Sequence, residues 1–86
     1  MEQELEFPND VHAVPIGGKR YAVVKTFNKT VYVNVREYYQ LQDGRRMMAG
    51  RKGINLSIEN WNRLSGSIIE INSAIDEQFR KLNQNQ

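Results

Sequence analysis

Arginine, lysine and tyrosine are interleaved with glycine from Arg36 to Leu56, R-E-Y-Y-Q-L-Q-D-G-R-R-M-M-A-G-R-K-G-I-N-L. Guanidinium and ammonium groups neutralise phosphates, aromatic rings stack on unpaired bases, and glycine lets a backbone come close to a ligand. A flexible, negatively charged, base-bearing ligand suits this mixture, and single-stranded nucleic acid is the natural candidate. The charge is distributed accordingly. The 86 residues carry +2 overall, but Gly17 to Gly53 holds nine basic residues against two acidic ones, a net +7. Met1 to Ile16 is at −4 and Ile54 to Gln86 at −1. This asymmetry is expected of a polyanion-binding surface, although a solvated basic face gives the same count.

Other chemistry finds no constellation. There are no cysteines, so disulfides and thiolate chemistry are excluded. The single histidine, His12, has no second histidine or thiol with which to share a metal. Glu37 and Asp43, the only carboxylates of the basic segment, fit neutralisation of neighbouring arginines better than acid and base work. Gly50-Arg51-Lys52-Gly53 lacks the spacing of a phosphate loop. Neither an enzyme nor a cofactor is expected. No apolar run approaches the about 20 residues that span a bilayer, and the acidic start lacks the basic and apolar regions of a signal peptide. The expected location is the nucleus in a eukaryote and the cytoplasm otherwise, with no membrane partner.

The elements that must position these residues form one domain over residues 11–82. It is preceded by an acidic arm, residues 1–10, read as flexible, and followed by a frayed polar end, residues 83–86. Val11 to Ile16 reads as a short edge strand, where Pro15 is tolerated, and Gly17-Gly18 turns the chain. Arg20 to Phe27 and Thr30 to Tyr38 read as strands joined by a two-residue turn at Asn28-Lys29. In that register Ala22, Val24 and Thr26 share an apolar side with Val31, Val33 and Val35. Tyr21, Val23, Lys25 and Phe27 line up with Arg36, Asn34, Tyr32 and Thr30 on a mixed aromatic and basic face, read as lying outside the core. Asp43-Gly44 turns the chain again, Arg46 to Ala49 returns as a fourth strand, and Gly50 to Gly53 is expected to break it.

Ser57 is a suitable N-cap, with Glu59 in the first turn opposing the helix dipole. Apolar residues then recur at Trp61, Leu64, Ile68, Ile71, Ile75 and Leu82, the spacing of one long helix. From Ser57 to Leu82 it would run about 39 Å, more than a small sheet can cover. The surplus asks for a second helix. Trp61, Leu64, Ile68, Ile71 and Ile75 are therefore read as the interface of a homodimer.

The runs R-Y-A-V-V-K-T-F, V-Y-V-N-V-R-E-Y-Y, G-R-K-G-I-N-L and W-N-R-L, in this order from Ile16 to Leu64, resemble the C-terminal domain of the transcriptional coactivator positive cofactor four. The resemblance implies an α+β fold, a strongly curved four-stranded antiparallel sheet followed by one helix, dimerising through the helices. It further implies grooves that hold single-stranded DNA with little sequence preference. Residue by residue, Lys25 and Phe27 match a basic contact and a base-stacking ring, and Arg36 matches the phosphate-contacting arginine of R-E-Y. Lys52, with Arg51 beside it, matches the lysine of G-R-K-G. Tyr39 stands where the best-known members carry tryptophan. At the hairpin tip Lys29 is the one cation where the family has two, and Arg45 or Arg46 replaces a lysine usual near Met47 and Met48. The serine- and lysine-rich regulatory tail of long members has no match in the acidic arm. The resulting expectation is a homodimeric single-stranded DNA-binding protein of transcription, replication or repair. An adaptor contacting the transcription machinery and an RNA-binding module are the alternatives.

Overall fold

The structure is a computed structural model describing residues 5–8 and 11–84, so most of the acidic arm and the last two residues of the polar end lie outside the described residues. Strand-forming sequences alternate with short turns whose backbone demands are met locally. β1 (His12–Gly17) reaches β2 (Arg20–Phe27) through Gly18 and Lys19, both at positive φ. β2 reaches β3 (Thr30–Gln40) through Asn28 and Lys29, at φ 50° and 64°. Two consecutive left-handed residues form the tight turn whose twist matches that of paired strands. It fixes the register: Lys25 opposes Tyr32, Val23 opposes Asn34 and Tyr21 opposes Arg36. β4 (Met47–Ser57) completes an antiparallel sheet in the order β1-β2-β3-β4.

The fourth strand departs from expectation. It does not stop at Gly50 but runs through Gly50-Arg51-Lys52-Gly53 to Ser57. Glycine weakens a strand without forbidding one, and here the pairing absorbs the segment as a bulge. Arg36 pairs with Gly53 and Tyr38 with Ala49, so two steps along β3 match four along β4.

A second departure concerns the core. Val23, Tyr38 and Met47 are buried together, with Phe7, Val11, Ala13 and Tyr21 packed against them. Val23 belongs to the face read as lying outside the core, yet it is fully buried. The reason is Phe7. Its ring meets those of Tyr21 and Tyr38 edge-on, with centroids 5.0 and 5.1 Å away. The backbone of Glu6 bridges the start of β4, its N–H donating to Arg45 and its carbonyl accepting from Met47. The part of the expected flexible arm that is described is thus docked, because an aromatic side chain found a partly buried site against the core.

The opposite, valine-rich face stays half open. Val33 is buried, whereas Val24, Val31 and Ile54 are 44%, 42% and 61% exposed. After Ser57, whose hydroxyl accepts from the Asn60 N–H at 3.1 Å, α1 (Ile58–Ser65) packs on β3 and β4. α2 (Ile68–Gln84) continues the same helical run past one irregularity. There Ser67 N–H bonds to Leu64 while its hydroxyl donates back to the Arg63 carbonyl at 2.8 Å, a pairing that bends helices. α2 has no buried residue, and Ile69, Phe79 and Leu82 are largely exposed.

Candidate nucleic-acid interface

Strand bulges expose side chains that regular pairing would direct elsewhere, and the bulge opposite Arg36 gathers the basic residues. A cleft of about 600 Å³ lies beside it. Arg51 and Lys52 come from the bulge itself, Arg36 and Tyr39 from β3, Met48 from β4 and Arg20 from the start of β2. Tyr39 is 47% exposed, leaving ring surface for a ligand. A smaller cavity of about 90 Å³ adjoins Arg36 on its other side, where Lys25, Asn34, Tyr38 and Pro8 line it. Arg36 therefore links two recesses.

Arg36 is anchored. Its Nη1 donates to the Gly50 carbonyl at 3.1 Å, while its Nε is buried without a partner. Behind it, the Asn34 amide, 1% exposed, donates to Asn55 Oδ1 at 2.7 Å and to the Ile54 carbonyl at 3.2 Å, locking β3 to β4. Burial pushes the Tyr38 hydroxyl up from its ordinary value, and the nearby Arg36 charge partly opposes this. Tyr38 thus belongs to the core.

Of the residues expected to bind, Arg36, Tyr39, Arg51 and Lys52 share the larger cleft and Lys25 meets Arg36 in the smaller one. Phe27 and Lys29 line neither. Phe27 sits at the last pair of the β2–β3 hairpin, 65% exposed, and Lys29 occupies the turn itself. Lys25 and Phe27, two apart on β2, share a face. Arg46 is differently committed. Its Nε donates to Asp43 at 2.6 Å, and the same carboxylate accepts from the Arg45 and Arg46 N–H groups at 2.9 Å each. Those two backbone bonds, then the Arg46 side chain, hold the Asp43 carboxyl well below the usual range. Arg45 is paired with Glu6. Among the described residues Lys25, Arg36, Arg51 and Lys52 enter no ion pair.

Arg20 was missed by sequence reasoning. It faces Glu37 across β2 and β3, with side chains 4.0 Å apart, at the edge of the cleft. Extending the hairpin register by one pair from Tyr21 would have found it.

Among the described residues the sheet thus gathers cations without carboxylate partners and an exposed ring in one cleft. The sequence from residue 14 to residue 67 matches the family Transcriptional Coactivator p15 (PC4), and the chain belongs to that family of coactivators, not to an enzyme family. It is 50% identical over 56 residues to a putative RNA polymerase II transcriptional coactivator of Caenorhabditis elegans, covering 65% of this chain and 45% of the relative. It is 30% identical over 69 residues to the RNA polymerase II transcriptional coactivator KIWI of Arabidopsis thaliana, covering 80% of this chain and 63% of the relative. The chain therefore spans less than two thirds of the length of these curated relatives. Among solved structures, a MoSub1 complex with single-stranded DNA superposes with a TM-score of 0.73 at 26% identity, covering 88% of this chain and 89% of that one. A second MoSub1–DNA complex, described as showing a novel DNA binding mode, gives 0.73 at 25% identity, covering 88% and 94%.

Proposed function

We propose that this protein binds single-stranded DNA with little sequence preference, as a homodimer, in the service of RNA polymerase II transcription in the nucleus. One observation carries the reading. Arg36, Arg51 and Lys52, without carboxylate partners among the described residues, line one open cleft together with the exposed ring of Tyr39. Cations at intervals along a groove track a phosphate backbone, and a ring among them stacks on whichever base is presented. In this reading Lys25 extends the path through the smaller recess, and Phe27 and Lys29 meet the strand at the hairpin end. Arg46 contributes less, since Asp43 holds it.

The transcriptional setting is taken from the curated relatives and the ligand from the MoSub1 complexes. Dimerisation is supported by Trp61, Leu64, Ile68, Ile71 and Ile75, which lie between 37% and 52% exposed in a single chain. A water-exposed apolar stripe of that length is the mark of an interface. Competition between oligo-dT and a duplex of equal length tests the ligand. Single strand should win clearly, because a duplex hides its bases from Tyr39 and Phe27 and resists bending. Equal affinity for both would overturn the reading.

A further inference from the structure

Gly50 and Gly53 flank Arg51 and Lys52, and neither is at positive φ, unlike Gly17, Gly18 and Gly44. Their backbone conformations are open to other residues, so the reason for glycine lies in space. A Cβ at Gly53 would stand 2.5 Å from Arg36 Nε and 3.0 Å from the Val35 carbonyl. A Cβ at Gly50 would stand 3.1 Å from the Glu37 carbonyl, 3.3 Å from the Tyr39 hydroxyl and 3.4 Å from Tyr39 Cε2. Gly53 therefore leaves room for the guanidinium of the cleft, and Gly50 for the Glu37 backbone together with the ring of Tyr39.

We propose that Gly50 and Gly53 are positioning residues of the strand-binding cleft, seats on which Tyr39 and Arg36 rest. Arg36 shows the effect most clearly. Its guanidinium lies where the Gly53 side chain would be, with Nε covered and without an acceptor, and only Nη1 bonded, to the Gly50 carbonyl at 3.1 Å. Shape therefore holds this group as much as hydrogen bonding does. A long side chain carries much rotamer freedom, and fixing it before the strand arrives lowers the entropy lost on binding. At position 53 the closest atom to an added methyl belongs to the guanidinium, and the Val35 carbonyl and Arg36 Cβ follow at 3.0 and 3.1 Å, so the side chain must leave its seat while the paired strands shift by a few tenths of an ångström. The proposal rests on the reading of Arg36 as a strand-binding residue.

Oligo-dT titrations of the full chain over a range of salt test it, using Gly53→Ala, Arg36→Ala and the double variant. Gly53→Ala should weaken binding by roughly tenfold, comparable to Arg36→Ala, and lower the salt slope by a similar amount. In the Arg36→Ala background it should cost nothing further. Wild-type affinity and slope for Gly53→Ala, or an equal loss in both backgrounds, would overturn the proposal. If Gly53→Ala does not fold by circular dichroism, Arg36→Lys decides. It keeps the charge but lacks the plane that lies on Gly53, so it should lose nearly as much as Arg36→Ala, and wild-type binding by it would overturn the seat. Wild-type binding by Arg36→Ala is a separate result that removes the strand-binding role of Arg36 and the seat with it.

Discussion

Phe27 and Asp43 mark two ways in which a single side chain serves this surface. Phe27 is 65% exposed at the end of a hairpin, a position with no packing reason for a large ring. Phe27→Ala should weaken oligo-dT binding by about 1 to 3 kcal/mol as stacking disappears and leave the melting temperature nearly unchanged. A collapse of the melting temperature with unaltered affinity per folded molecule would show a structural role instead. Asp43 acts on the other side of the balance, organising the β3–β4 turn and holding Arg46. Because its carboxyl is depressed in the folded chain, the stabilisation it gives is complete above the unfolded carboxylate range near pH 4 and disappears as pH falls through the folded value. A carbon-detected NMR titration should accordingly find Asp43 still ionised below the ordinary carboxylate range near pH 4. A midpoint for Asp43 inside that range would contradict the depressed value.

At the scale of elements, the hairpin and the bulge show what a sequence reveals and what it conceals. Asn28-Lys29 determines loop length, and with it every facing pair from Arg20–Glu37 to Phe27–Thr30, so that register was legible from a local turn. Ser57 was equally legible as a cap, since capping depends on its own hydroxyl and a nearby N–H. The G-R-K-G segment was not. Glycine reads as a breaker in isolation, and only the neighbouring strand shows that the missing side chains make room for Arg36 and Tyr39. Phe7 was concealed for a similar reason. Between acidic residues and a proline it has no periodicity, and its partners, Tyr21 and Tyr38, lie far along the chain. Phe7→Ala should open the three-ring cluster and cost about 2 kcal/mol of stability, short of a full core truncation because the site borders solvent. Denaturant unfolding followed by tyrosine fluorescence measures this, and an unchanged midpoint would contradict the docking of the segment.

For the whole molecule, shape is the informative quantity. The radius of gyration is 16.8 Å, where a compact domain of this length has about 12 Å. The excess comes from the helical run, whose apolar residues Ile71, Ile75, Phe79 and Leu82 line an uncovered hollow of about 730 Å³. A chain of 86 residues gains little from leaving such surface in water. Replacing Ile68 and Ile75 together by Asp should give a monomer or an unfolded chain, because it would put unpaired charges into the proposed symmetric interface. Sedimentation reads the outcome, and a double variant that remains a stable dimer would rule these residues out of the interface. Pairing through the helices would leave the sheet clefts of two subunits free to hold one strand or two.

Arg51 and Lys52 of the bulge are proposed to bind a phosphate backbone, and the salt dependence of oligo-dT affinity is the decisive measurement. Compared between wild type and the Arg51→Ala, Lys52→Ala double variant, the slope of log affinity against log salt should be steep for the wild type. It should become shallower by roughly 0.7 for each phosphate that the variant no longer neutralises, about 1.4 in all, with affinity reduced alike for every base composition. An unchanged slope and affinity in the double variant would contradict the account.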